Sequence, residues 1–199
     1  MTPALPLRCL VTARRLGIPF TRDLLWVSIR QARMWHFEVA TCESAADNFS
    51  VECGALTERR YGPDYQLRKH YLISTSRFGI GQLANSNFTP VGLHRIAEKI
   101  GDGWPAGTVF RSRQMVGYTW KGLPTATITT RILWLDGLEP GFNRGGNVDT
   151  HARYIYIHGT GNELTLGRPA SHGCIHLSAS DLVPLFHRIP GGTLVWIER

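Results

Sequence analysis

HGTGNELTLGRPASHGCIHL, residues 158–177, is the stretch from which the rest of this 199-residue chain can be read. It opens on His158, runs through a Gly-rich turn and reaches Ser171-His172-Gly173-Cys174-Ile175-His176-Leu177. Cysteine catalysis needs a thiolate, a base for its proton and donors for an oxyanion. Cys174 is the nucleophile candidate, and His158 can fold back beside it as the base. An imidazolium there would favour the thiolate. Gly173 lets the backbone turn so that N–H groups face an incoming carbonyl. The same residue types also fit an inert packed cysteine beside surface histidines. A third reading is a Cys/His3 zinc site: His172, Cys174 and His176 alternate and would share a strand face with His158. One residue between ligands is tight for chelation by a single strand, and zinc has no use for the surrounding Ser and Gly. No metal or other cofactor is therefore expected.

Outward from this stretch the pattern is one of short strands. Tyr154–His158 puts Ile155 and Ile157 on one face and Tyr154, Tyr156 and His158 on the other. Leu25, Val27 and Ile29 alternate with Trp26, Ser28 and Arg30, the period of a half-buried strand. Further strands are expected at 34–39, 71–76, 93–99, 108–113, 126–135 and 193–197. Ser178-x-x-Asp181, ahead of Leu182, Val183, Leu185 and Phe186, reads as a capping box that opens the one convincing helix. Pro184 is tolerable only in its first turn. Residues 1–22 read as a polar, Arg-rich arm, and 41–66 as a long loop or inserted hairpin. Many short strands and one short helix after Cys174 predict a mostly-β, sandwich or barrel-like domain over 23–199.

The formal net charge is +7, carried almost wholly by arginine. Guanidinium groups grip carboxylates in a bidentate fork, so acidic partners are expected. No stripe of basic residues interleaved with aromatics appears, which argues against nucleic acid. Apolar runs such as Leu24–Val27 fall far short of the roughly 18 residues a membrane span needs, so no integral membrane segment is expected. Arg8, Arg14 and Arg15 interrupt Leu5–Ile18, so no clear signal peptide is legible. The four cysteines are too few for a disulfide scaffold and lack C-x-x-C spacing. Cys42 and Cys53 flank an acidic stretch and either pair in an oxidising compartment or stay unlinked.

His158-Gly159-Thr160, followed by Ser171-His172-Gly173-Cys174-Ile175-x-Leu177, resembles the signature of the L,D-transpeptidase (YkuD-type) family. Ser74-Thr75-Ser76, Thr89-Pro90-Val91-Gly92, Arg153–Ile157 and Gly191–Val195 resemble that family's other segments in the same order, so the likeness covers about residues 24–199. The resemblance implies a β-sandwich with a cradle beside the cysteine, acting on peptidoglycan stem peptides. Cys174 would attack the carbonyl of the third, diamino-acid residue and release the terminal D-alanine. The thioester would then pass its acyl group to an amine of another stem or of a wall-anchored protein. Water as acceptor would make the enzyme an L,D-carboxypeptidase. Cys174, His158, Ser171, Gly173 and His172 would be catalytic, with His158 as base and His172 orienting. Backbone N–H groups of His172, Gly173 and Cys174 would hold the oxyanion. Thr89, Tyr156, Gly159, Thr160 and His176 would contact substrate. The location implied is the periplasm or cell envelope, and the role cell-wall organisation and cell shape. His176 stands where the family commonly has Arg or Asn, and a neutral His would hold a substrate carboxylate less well. The Thr-Leu-x-Thr-Cys pattern of a sortase is absent. The rival from another class is a non-catalytic wall-binding module.

Overall fold

The computed structural model describes residues 4–40 and 62–199. Cys42 and Cys53 lie outside the described residues, as does most of the expected loop at 41–66. The chain forms α1 (Leu7–Arg15), β1 (Asp23–Ser28), β2 (Arg33–Val39), β3 (Tyr65–Leu72), β4 (Gly92–Ile100), β5 (Thr108–Arg111), β6 (Gln114–Tyr118), β7 (Thr129–Gly137), β8 (Tyr156–Gly159), β9 (Ile175–Leu177), α2 (Ala179–Arg188) and β10 (Leu194–Glu198).

The strands join in one mixed sheet, ordered β3-β2-β1-β10-β4-β7. At β7 the sheet forks, because a register shift between Thr129 and Ile132 lets that strand pair with both the β5–β6 hairpin and β8. β9 then lies parallel to β8. Ser74, just past β3, exchanges both backbone hydrogen bonds with His176 of β9, at 3.2 and 2.9 Å. That exchange closes the strands into a ring, giving the mostly-β, barrel-like architecture expected from the sequence. Each strand alternates faces, so the ring fills with Leu25, Val27, Leu133, Ile157, Ile175, Val195 and their neighbours. α2 plugs it with Leu182, Leu185 and Phe186, each contributing about 1.5–3 kcal/mol by burial. Ser178 caps α2 by accepting the Asp181 N–H at 3.2 Å. Pro184 lies in the second turn of this helix, not the first. It is exposed, and the carbonyl left without a partner belongs to exposed Ser180.

The arm reading of residues 1–22 is corrected over α1, which makes a second helix among the described residues. Cys9, Leu10 and Ala13 form one helix face and are buried, while Arg8, Arg14 and Arg15 face water. That apolar face joins a second core with Leu24, Trp26, Trp35 and Phe37 on the outer side of β1–β2. β1 is consequently buried at every position rather than on one face. Strand β3 starts at Tyr65, ahead of the expected 71–76. Strand β6 was not expected; the turn before it uses left-handed Ser112 and Arg113 without the glycine that would have signalled it.

Candidate active site

The parallel register of β8 and β9 sets Ile157 against Ile175 and His158 against His176. The isoleucines point into the core. Alternation therefore sends Tyr156 and His158, with Cys174 and His176, to the opposite face. There the His158 and His176 rings lie 4.8 Å apart, and Cys174 packs beside Tyr156, Trp134, Ile132 and Phe110.

The turn carrying Cys174 is closed on itself. Ser171 Oγ donates to the Cys174 carbonyl at 2.5 Å and accepts the Gly173 N–H at 3.1 Å. Gly173 has φ +123°, and a Cβ there would meet Ile155 Cδ1 at 3.1 Å and the Phe88 carbonyl at 3.2 Å. Only glycine fits that backbone. Thr89 Oγ1 donates to the Gly173 carbonyl at 3.0 Å and accepts the Ser76 N–H at 2.9 Å. The Ser-Thr-Ser and Thr-Pro segments thus converge behind the turn that carries Cys174.

Cys174 Sγ accepts the Tyr156 N–H at 3.4 Å, and its S–H reaches the Tyr154 carbonyl at 3.5 Å. Tyr154 is held at φ +57°, unusual for a bulky residue and a form of strain that collects at functional sites. Burial pushes the Cys174 thiol up to about 11, opposed by the Tyr156 N–H and the nearby Arg153 charge. Arg153 is itself pinned by the carbonyls of Phe88 (2.7 Å) and Gly81 (3.2 Å). His158 Nδ1 lies 2.8 Å from the Gly159 carbonyl. A carbonyl can only accept, so Nδ1 carries the hydrogen and Nε2 is left as the basic nitrogen. Burial and the neighbouring His176 push the His158 imidazole down to about 3. His176 is pushed down to about 4 by burial, and its Nδ1 is buried without a partner. The expected imidazolium beside a thiolate is therefore not the resting state. Removing both groups from water disfavours their charged forms, so thiol and imidazole rest neutral.

Several other expectations are redrawn. His172 is exposed, its Nε2 2.9 Å from the Arg77 guanidinium and its ring against Phe78. Among the described residues no three His, Cys, Asp or Glu side chains are grouped to hold a metal ion, so the four ligands of the zinc reading do not converge. The Gly173 N–H is spent on Ser171, which leaves those of His172 and Cys174 for an oxyanion. Thr89 is fully buried and supports the turn from behind rather than lining a substrate surface. Gly159 is needed for close packing, since a Cβ would sit 2.8 Å from the Thr129 carbonyl. Thr160 accepts the Asn162 N–H at 3.2 Å and shapes the end of β8. Arg153, Tyr154 and Trp134 lie beside the sulfur, and Arg113 stacks on Trp134 and Tyr154, although none of the four stands among the expected site residues. No motif marks them, although Arg153 and Tyr154 lie within the segment quoted above.

Buried neutral histidines carry a pH consequence. His94, wholly buried between the Gly92 carbonyl and Thr150 Oγ1, is pushed down to about 4 by burial, alongside His158 and His176. An unfolded histidine protonates near 6.5. As pH falls below that value the unfolded state takes up protons that the folded state refuses, and stability is lost until the folded value is reached. At pH 5 this amounts to about 2 kcal/mol for a histidine held near 4. The urea midpoint is expected to drop clearly between pH 7 and pH 5, with a shallower drop in His94→Gln. Equal midpoints at the two pH values would overturn the argument.

A family model described as the L,D-transpeptidase catalytic domain, YkuD, matches residues 56–197. The chain belongs to this family. The match begins after β2, so α1, β1 and β2 lie outside it. In Bacillus subtilis, the protein named "Putative L,D-transpeptidase YqjB" is 42% identical over 57 residues, 29% of this chain and 31% of that protein. "Putative L,D-transpeptidase YkuD" from the same organism is 42% identical over 43 residues, 22% and 26% of the two chains. The chain thus spans about a third or less of these relatives in the matched segments. Among solved structures, Bd1075 of Bdellovibrio bacteriovorus aligns with TM-score 0.51 and 16% identity, over 98% of this chain and 53% of that one. That likeness concerns the fold alone. Among the described residues, no helix of this L,D-transpeptidase-family chain is long and apolar enough to cross a membrane.

Proposed function

We propose that the protein is a cysteine-dependent L,D-transpeptidase acting on peptidoglycan stem peptides in the cell envelope. The observation that carries the reading is that Cys174, immediately before β9, and His158, on the adjoining parallel β8, share the face opposite the core isoleucines. The sulfur is reachable there, and His158 Nε2 is left as an acceptor. Because both groups rest neutral, the proton moves as the bond forms. Sγ attacks the carbonyl carbon of the third stem residue while its proton passes to His158 Nε2. The carbonyl oxygen becomes an oxyanion held by the N–H groups of His172 and Cys174. On collapse the C–N bond to D-alanine breaks, the leaving nitrogen takes the proton from His158, and a thioester on Cys174 remains. An acceptor amine then attacks the thioester, releasing the thiolate and forming the new amide, while His158 returns the amine's proton to sulfur. Residues 23–199 are the catalytic unit in this reading, with Ser171, Gly173 and Thr89 fixing the turn. An amine of a second stem or of a wall-anchored protein serves as acceptor, and the product contributes to cell-wall organisation and shape.

The test is the intact mass of the purified protein after mixing with a stem tetrapeptide. The expected result is an added mass equal to the donor less alanine. Addition of a diamino-acid amine should discharge the adduct to a cross-linked peptide. Discharge to free tripeptide alone, whatever the amine, would indicate a carboxypeptidase. No adduct with any donor, together with retention on peptidoglycan sacculi, would favour a wall-binding module and overturn the proposal.

A further inference from the structure

The β5–β6 hairpin brings to the aromatic cluster beside Cys174 a cation that the steps above leave unused. Ser112 and Arg113 at its tip both have positive φ, +49° and +67°, the backbone of a tight two-residue hairpin turn. The Arg113 guanidinium carbon lies 4.9 Å from the centre of the Trp134 ring and 5.1 Å from that of Tyr154. Its charge also acts on the Tyr156 phenol, opposing the rise that burial imposes there. Trp134 and Tyr156 pack with Cys174 in one cluster. Tyr154 and Tyr156 are the two residues whose backbone groups bracket the sulfur. Arg113 is thus held by two aromatic faces at the edge of the cluster against which Cys174 packs.

These contacts fix the guanidinium without neutralising it. None of the ion pairs among the described residues includes Arg113. Aromatic faces occupy the planar side of a guanidinium and leave N–H groups at its edge for a forked anion. The neighbouring cations are otherwise engaged: Arg153 donates to two backbone carbonyls, and Arg77 meets His172. His176, where the family pattern commonly carries Arg or Asn, is neutral and buried and offers an anion nothing comparable.

We propose that Arg113 binds a carboxylate of the acyl donor, aligning the scissile carbonyl with Cys174 and making an anionic donor the preferred substrate. The proposal rests on the acyl-transfer reading above. A stem tetrapeptide has two candidate carboxylates flanking the bond: that of the leaving D-alanine, and the second carboxylate of the diamino acid. Both present the same chemistry to the guanidinium.

Three donors separate them: the parent tetrapeptide, its C-terminal amide, and the peptide amidated on the diamino acid. The rate of adduct formation on Cys174 is followed by intact mass for wild type, Arg113→Gln and Arg113→Lys. Wild type should prefer the parent over one of the two amides by about 10- to 100-fold, the range for a charge-assisted hydrogen bond. The disfavoured amide identifies the carboxylate. Arg113→Gln should slow the parent by a similar factor and leave that amide unaffected, so that the preference disappears. Arg113→Lys should restore part of it. Alkylation of Cys174 by neutral iodoacetamide should stay at the wild-type rate in both variants. Equal slowing of all three donors, a parallel fall in alkylation, or no preference in wild type would overturn the assignment. If no donor acylates wild type while iodoacetamide still alkylates Cys174, the acyl-transfer reading itself has failed and the assignment falls with it.

Discussion

Cys174→Ala is expected to lose the acyl-enzyme adduct completely while keeping the fold. Among the described residues the hydrogen bonds of the sulfur are two long ones, with the Tyr156 N–H and the Tyr154 carbonyl. The turn is closed instead by Ser171 and Thr89, acting on main-chain atoms that alanine retains. The thermal midpoint should therefore move by no more than a few degrees, as expected for a change of about 1 kcal/mol or less in a chain of this size. Cys9 offers no substitute nucleophile. It lies wholly buried beneath α1, and burial with the Glu198 and Glu139 charges pushes its thiol up to about 12. Intact mass after incubation with a tetrapeptide checks both claims when paired with a melting curve. An adduct retained by a folded Cys174→Ala protein would place the nucleophile on another residue.

How much of this was legible in the sequence depends on the range of the interaction. The Ser-His-Gly-Cys turn could be read because its chemistry is local: Ser171, Gly173 and Cys174 bond one another within four residues. The placing of His158 beside that turn followed from its position at the end of a strand whose isoleucines face the core. The capping of α2 by Ser178 is local as well. The fork at β7 could not be read, because one strand there serves two partners and nothing in Thr129–Ile132 announces the register shift. Nor could the role of α1, where Arg8, Arg14 and Arg15 stand beside the buried Cys9, Leu10 and Ala13 and give it the look of a solvated arm. The apolar outer face of β1–β2 is what recruits it. Thr89 was read as facing substrate because its segment resembles part of a family motif, but only the fold reveals that its hydroxyl supports the Gly173 carbonyl from behind. Arg113 was invisible for a similar reason. It meets the cluster beside Cys174 from a hairpin that carries no glycine signal, and its partners Trp134 and Tyr154 come from two other parts of the chain.

The ring closure explains why the site sits where it does. β9 is only three residues long, yet it pairs with β8 on one side and bridges Ser74 on the other. Ser76 continues that side by bridging Ser171. The turn that carries Cys174 is therefore clamped at both edges by backbone pairing and from behind by Thr89. A rigid frame of this kind holds a reacting atom in place without help from the substrate, which is what preorganised catalysis requires.

His158→Ala is expected to slow acylation by about 10²- to 10⁴-fold, the contribution of a positioned general base. Three features of this histidine support the expectation. The imidazole is fixed by its Nδ1–H bond to the Gly159 carbonyl. Its Nε2 is left basic. Its pKa lies far enough below neutrality for the base form to predominate at every working pH. His176, whose Nδ1 has no partner, and His172, which is turned toward Arg77, lack that arrangement, so their alanine variants should lose less. Wild-type acylation should accordingly show no fall near pH 6.5 and keep its rate down to about pH 5, when measured in pulses short enough to precede acid unfolding. An acid limb between pH 6 and 7 that disappears in His158→Ala would show that the imidazole titrates normally and that burial does not hold it neutral. An unchanged acylation rate in folded His158→Ala would move the base to His176 or His172. His158→Gln, which keeps most of the side-chain volume, separates loss of the base from loss of packing: it should be as slow as the alanine variant if proton transfer is what His158 provides.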